Sequence, residues 1–154
     1  MLYRNRRDRG GGRVRMSAAE RHIARLHAAS AALADVCTAC GACYRVCPTA
    51  AQIPTLAEAL AENVMQGIRD ILRGGAGSEA AIAFAGACSR SGVCTEACPE
   101  KIDAAFLMRI ASLHVRGALG DAPRVSMMAD PGWSARVKAF ARLTMTEEEQ
   151  AKWL

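Results

Sequence analysis

The stretch that decides the fold runs Cys37-Thr38-Ala39-Cys40-Gly41-Ala42-Cys43-Tyr44-Arg45-Val46-Cys47-Pro48. Its first three cysteines stand three residues apart, so one loop can wrap their thiolates around three corners of a single polynuclear centre. Gly41 permits the backbone to approach that centre, where amide N–H groups stabilise its negative charge. Cys47 lies four residues past Cys43, one helical turn and about 6 Å further along, and so reaches away from the other three. Pro48 follows as a local stop. A C-x2-C-x2-C-x3-C-P run is the signature of a cubane iron–sulfur cluster whose fourth cysteine serves a neighbouring cluster. Structural zinc sites prefer paired C-x2-C units without the third and fourth cysteine.

Forty residues on, the chain reads Cys88-Ser89-Arg90-Ser91-Gly92-Val93-Cys94-Thr95-Glu96-Ala97-Cys98-Pro99. Aligned on Cys98-Pro99, this segment repeats the first with one change: Ser91 stands where Cys40 stands. If the last cysteine of each motif crosses over, Cys98 completes a 4Fe-4S site with Cys37, Cys40 and Cys43. The second site then holds Cys47, Cys88 and Cys94. A serine oxygen is harder than a thiolate and usually protonated, so it holds iron less readily. Three thiolates and an open corner favour a 3Fe-4S cluster. The alternative is a 4Fe-4S cluster with Ser91, or a ligand from outside the chain, on the fourth iron.

This pair of motifs resembles the α-helical ferredoxin module, over roughly residues 18–118. It is similar to the C-terminal half of the succinate dehydrogenase and fumarate reductase iron–sulfur subunit. It is also similar to stand-alone dicluster proteins such as the heterodisulfide reductase C subunit and the small iron–sulfur subunit of anaerobic glycerol-3-phosphate dehydrogenase. The resemblance implies an all-α fold in which two cysteine loops enclose two clusters. In the succinate dehydrogenase relatives the three-cysteine second motif holds 3Fe-4S. Those relatives also carry an N-terminal 2Fe-2S domain, for which this chain has no room. Their quinone pocket uses a Trp and a His at the positions held here by Gln52 and Ser89. The architecture therefore looks more like the heterodisulfide reductase C type, although that family usually keeps four cysteines in both motifs.

Charge and composition narrow the function further. The net charge of +5 lies in residues 1–16, where six arginines face one acid, Asp8; the rest is neutral. That pattern indicates a basic tail, read here as a solvated disordered extension, and argues against a basic nucleic-acid-binding face. No apolar stretch follows the arginines, so the tail does not read as a secretory or twin-arginine signal. Met16 offers a second candidate start. No apolar run is long enough to span a bilayer. Seven cysteines without an export signal point to reduced thiols in the cytoplasm, and to metal rather than disulfides. The composition is 51% hydrophobic but only 5% aromatic. Such a chain gains little per buried side chain, and metal binding would add to its folding free energy.

The periodicity predicts only helices. Ser17-Ala-Ala-Glu20 reads as a capping box opening a helix over 18–35. Pro54 opens a second, running to about Arg73, with Leu56, Leu60, Val64, Ile68, Ile71 and Leu72 at helical spacing. Gly74-Gly75-Ala76-Gly77 breaks it, and Ser78-Glu79 starts a short alanine-rich helix. Asp103 caps another to about Arg116, with Phe106, Leu107, Ile110 and Leu113 on its buried side. An amphipathic stretch from Pro131 (Val137, Phe140, Leu143) and a capping box at Thr146 complete the chain. The expected organisation is a basic tail (1–16), a dicluster domain (17–120) and a helical extension (121–154). The extension, with Trp133 and Trp153, either docks a partner or packs back on the chain's own core. His22, His27 and His114 read as surface residues, and Arg45 either raises a cluster's potential or is simply solvated.

Together these features predict an electron-transfer subunit of a multi-subunit oxidoreductase, itself non-catalytic. Its partners would be a flavoprotein or a cysteine-rich catalytic subunit, in the cytoplasm or at the cytoplasmic face of a membrane complex. The alternatives are a redox-sensing regulator using the open corner as its switch, and a quinone-linked subunit.

Overall fold

The computed structural model describes residues 15–120 and 123–153. The reading of the basic tail therefore falls almost wholly outside the described residues, as do the Trp153 side chain and Leu154. Every element among the described residues is helical. Helix α1 (Ala18–Val36) begins at the expected capping box: the Glu20 amide donates to Ser17 Oγ, and the Ser17 amide donates to the Glu20 carboxylate at 2.6 Å. It ends where Cys37 turns extended. The first cysteine loop and a single turn, α2 (Ala42–Arg45), follow. Then come two short 3-10 turns and α3 (Ala61–Leu72). Helix α4 (Glu79–Gly86) leads into the second loop, which carries α5 (Val93–Glu96). Helix α6 (Ala104–Val115) returns across the core, and α7 (Pro131–Thr144) and α8 (Glu147–Trp153) close the chain.

The continuous helix expected over 54–73 is broken. Pro54–Leu56 forms only a 3-10 turn, and α3 starts at Ala61. The Tyr44 hydroxyl donates to the Leu56 carbonyl at 2.8 Å. That carbonyl would have accepted the Leu60 amide in a continuing helix. Leu60 instead sits extended at the start of α3 and is 66% exposed, while Leu56 is buried.

Helices α3, α4 and α6 pack on one another, with α1 laid across α3 and α6. Val64, Met65, Ile68, Phe84, Leu107 and Ile110 fill the space between them, with alanines allowing close approach. Two further sequence readings need correction. Phe106 faces outward, and the buried side of α6 is Leu107, Met108, Ile110, Ala111 and His114. His114 is not a surface residue. It continues the stripe of Leu107 and Ala111 at spacings of four and three, and α1 covers it. The Ser30 hydroxyl donates to the Leu72 carbonyl at 2.7 Å and is 2.9 Å from His114 Nε2. Since that hydroxyl's one proton is engaged, His114 Nε2 is the donor in the second bond. His27 packs edge-on to His114 at 5.5 Å and is half-buried rather than exposed.

Helix α7 packs back on α4. Its first turn is held by Asp130, which accepts from the Gly132 amide at 2.9 Å. Gly132 lies against Gly86, where a Cβ would fall 2.9 Å from the Gly86 carbonyl oxygen. The buried residues of α7 are Ala139 and Ala141, whereas Phe140 and Leu143 are exposed, the reverse of the amphipathic reading. Among the described residues no helix is long and apolar enough to cross a membrane.

Candidate metal centres

The two cysteine loops follow the same backbone path. Each begins at a cysteine, has a left-handed residue two positions on (Ala39, Arg90) and a left-handed glycine four positions on (Gly41, Gly92), then enters a one-turn helix. Ser91 thus occupies in space the loop position that Cys40 occupies in the first motif. Loop equivalence is set by the backbone, because only glycine takes the left-handed φ without strain. At Gly41 there is a second reason: a Cβ would lie 2.7 Å from the Ala61 Cβ. Arg45 pins the first loop, donating to the Cys40 carbonyl and to Glu62, each at 2.6 Å. It is half-exposed and tied into the loop rather than merely solvated.

Two cavities open behind these loops. The first is walled by Cys37, Cys40, Cys43 and Cys98, with Met65, Ile102 and Leu107 as its apolar back. The second is walled by Cys43, Cys47, Cys88 and Cys94, with Ser89 and Ser91, and backed by Phe84 and Met108. Cys43 borders both, so the cavities are neighbours across one side chain. The one-turn helices α2 and α5 touch, which brings Cys98 of the second loop to the first cavity and Cys47 of the first loop to the second. All seven cysteines are free thiols. Among the described residues no three His, Cys, Asp or Glu side chains converge as they would around a single ion. The thiols instead ring two spaces.

Electrostatics says what such spaces need. Burial, reinforced by the neighbouring Cys37 and Cys94, pushes the Cys43 thiol up to about 12. Burial likewise raises Cys37, Cys88 and Cys94. Crowded thiolates in an apolar wall cannot all ionise without positive charge between them, and bound iron would supply that charge. The donor chemistry fits two polynuclear iron–sulfur groups: thiolates around a space, apolar backing and backbone amides in tight loops. Cluster-binding loops of this kind need no other protein ligand.

Sequence reasoning missed several residues around the second cavity. Thr49, buried two residues past Cys47, lies 2.9 Å from the hydroxyl of Ser89, next to Cys88, and so ties the two motifs together. Arg116, Asp130 and Arg136 gather at the Gly86 carbonyl, just before Cys88. Nothing in local spacing marks these groups, which come together only when α7 folds back. Met65, whose sulfur accepts from Cys43 Sγ at 3.5 Å, was also not among the stripe residues named from the sequence.

No curated protein matches the chain, and no solved structure does. Residues 36–103 match the family model described as a 4Fe-4S dicluster domain. The matched span runs from the first cysteine loop through the second, including α3, α4 and the start of the turn into α6. The match, which spans less than half of the chain, supports an iron–sulfur, ferredoxin-like family for these residues.

Proposed function

We propose that the protein is an electron-relay subunit with two unequal clusters, a 4Fe-4S on Cys37, Cys40, Cys43 and Cys98 and a 3Fe-4S on Cys47, Cys88 and Cys94. The observation that carries this reading is the pair of neighbouring cavities that share Cys43, the first walled also by Cys37, Cys40 and Cys98, the second by Cys47, Cys88 and Cys94 with Ser91 at the loop position that Cys40 holds in the first. Bound clusters of this kind supply one-electron transfer at fixed positions. The chain's own residues do the rest. The cysteines hold the irons, Arg45 and the Thr49–Ser89 pair fix the loops, and Met65, Phe84, Leu107 and Met108 keep bulk water from the inner faces.

On this reading the partners are redox proteins, a flavoprotein or a cysteine-rich catalytic subunit, in an assembly of the heterodisulfide reductase kind in the cytoplasm. The exposed Trp133, Phe140 and Leu143 of α7 offer apolar anchors for such a partner. The test is a potentiometric titration of anaerobically reconstituted protein, followed by EPR. Two reversible one-electron steps per chain are expected; a protein that takes up no electrons reversibly would refute the relay.

A further inference from the structure

The first two turns of α7 bring a cluster of charges against the loop of the second cavity. The Arg136 side chain is 17% exposed and that of Asp130 only 11%. Arg136 donates to the Gly86 carbonyl and to Asp130 Oδ2, the latter at 2.9 Å. Arg116 approaches the same two acceptors, at 3.4 Å from the carbonyl and 3.7 Å from the carboxylate. Its Nε is buried without a hydrogen-bond acceptor. Among the described residues, two guanidiniums and one carboxylate leave one net positive charge in a place largely shielded from solvent.

This charge adjoins the second cavity in two ways. Gly86 lies two residues before Cys88, and Arg136 walls a groove together with Ser89, which also walls the cavity. Arg90 adds a solvated positive charge in the cavity wall itself. Around the first cavity the charges offset one another. Arg45, 53% exposed, pairs with Glu62, and the acid Glu100 stands in the wall against the influence of Arg69 on Cys37.

We propose that Arg136, latched by Asp130 and the Gly86 carbonyl, is a positioning residue that sets the second centre's potential above that of the first. The inference rests on the two-cluster reading above and assigns a direction to it: the electron comes to rest on the α7 side of the molecule. One-electron reduction adds one negative charge, and Arg136 stabilises that charge through a low-dielectric wall. The electron is supplied by an external one-electron reductant; no bond forms or breaks, and no proton is required. The device also makes α7 more than packing, because undocking the helix would withdraw the charge.

The test uses the full chain, reconstituted anaerobically and titrated with dithionite, with each centre followed by EPR. Arg136→Gln should lower the equilibrium constant for reducing the second centre about tenfold, which is 59 mV for one electron. The first centre should move less than twofold, and iron content should not change. Arg136→Lys, which keeps the charge, should restore the wild-type equilibrium, and Arg116→Gln should shift it in the same direction as Arg136→Gln. An unmoved second centre in Arg136→Gln with full iron overturns the proposal. So does an equal fall in Arg136→Lys, or loss of iron from the second site alone, either of which would make the role structural. If the wild-type chain takes up no clusters, the parent reading fails and takes this one with it.

Discussion

At the scale of single residues, the asymmetry between the loops rests on Ser91. It stands at the same point of the same backbone path as Cys40, so Ser91→Cys should complete a fourth thiolate without disturbing the loop. The variant is expected to gain about one iron per chain and to lose the three-iron EPR signal; persistence of that signal would mean that residue 91 does not face the open corner. The paired glycines give a second comparison. Gly41→Ala and Gly92→Ala both force a left-handed alanine, costing about 1 to 3 kcal/mol. Only Gly41 also meets a neighbour, the Ala61 Cβ, so it should be the more destabilising in urea unfolding of the reconstituted protein. The spacing of the seven cysteines, the place of Ser91 and the need for Gly41 were legible in the sequence because the cysteine motifs impose fixed short spacings. Thr49, Arg116, Asp130 and Arg136 were not, because each acts through a contact between segments far apart in the chain.

At the scale of elements, helix ends were readable and helix faces less so. The caps at Ser17, Ser78, Asp103 and Thr146 involve residues three apart and so appear in the sequence. The break before α3 depends on Tyr44 reaching across to Leu56, which periodicity cannot see. The polar contact under α1 is similarly hidden. Ser30→Ala would remove the hydroxyl's bonds to the Leu72 carbonyl and to His114 Nε2, at a cost of about 1 to 3 kcal/mol. Thermal melting should fall by about 2 to 4 °C per kcal/mol for a domain of this size. Helix α7 depends on Asp130. Burial alone would raise its carboxyl, but bonds from Arg136 and the Gly132 amide and the two guanidiniums hold it below the ordinary carboxylate value. A depressed folded value means the stabilisation is complete above the unfolded value of about 4 and lost as pH falls through the folded one. Asp130→Asn should mimic that loss at neutral pH. Hydrogen exchange over residues 133–144 should rise about 10- to 100-fold, corresponding to loss of a charged hydrogen bond, while α3 is unaffected.

At the scale of the whole molecule, the proposed reading makes fold and function depend on the same seven thiols. The core is small and rich in alanine, and both cysteine loops converge on spaces that bound clusters would hold shut. Removing iron with a chelator under reducing conditions should therefore cost much of the helical circular-dichroism signal, since cluster binding contributes directly to folding. The all-α class was readable from periodicity and motif spacing, while the return of α7 onto α4 was not. That helix contributes no ligand, and it buries Ala139 and Ala141 rather than the larger Phe140 and Leu143 that its pattern advertises. The central claim is that two unequal clusters occupy the two cavities. It is tested most directly by EPR of the oxidised, anaerobically reconstituted protein, with iron and sulfide measured on the same sample. The account predicts the near-isotropic signal of a three-iron cluster, with about seven irons and about eight sulfides per chain. An EPR-silent oxidised protein holding about eight of each would contradict it.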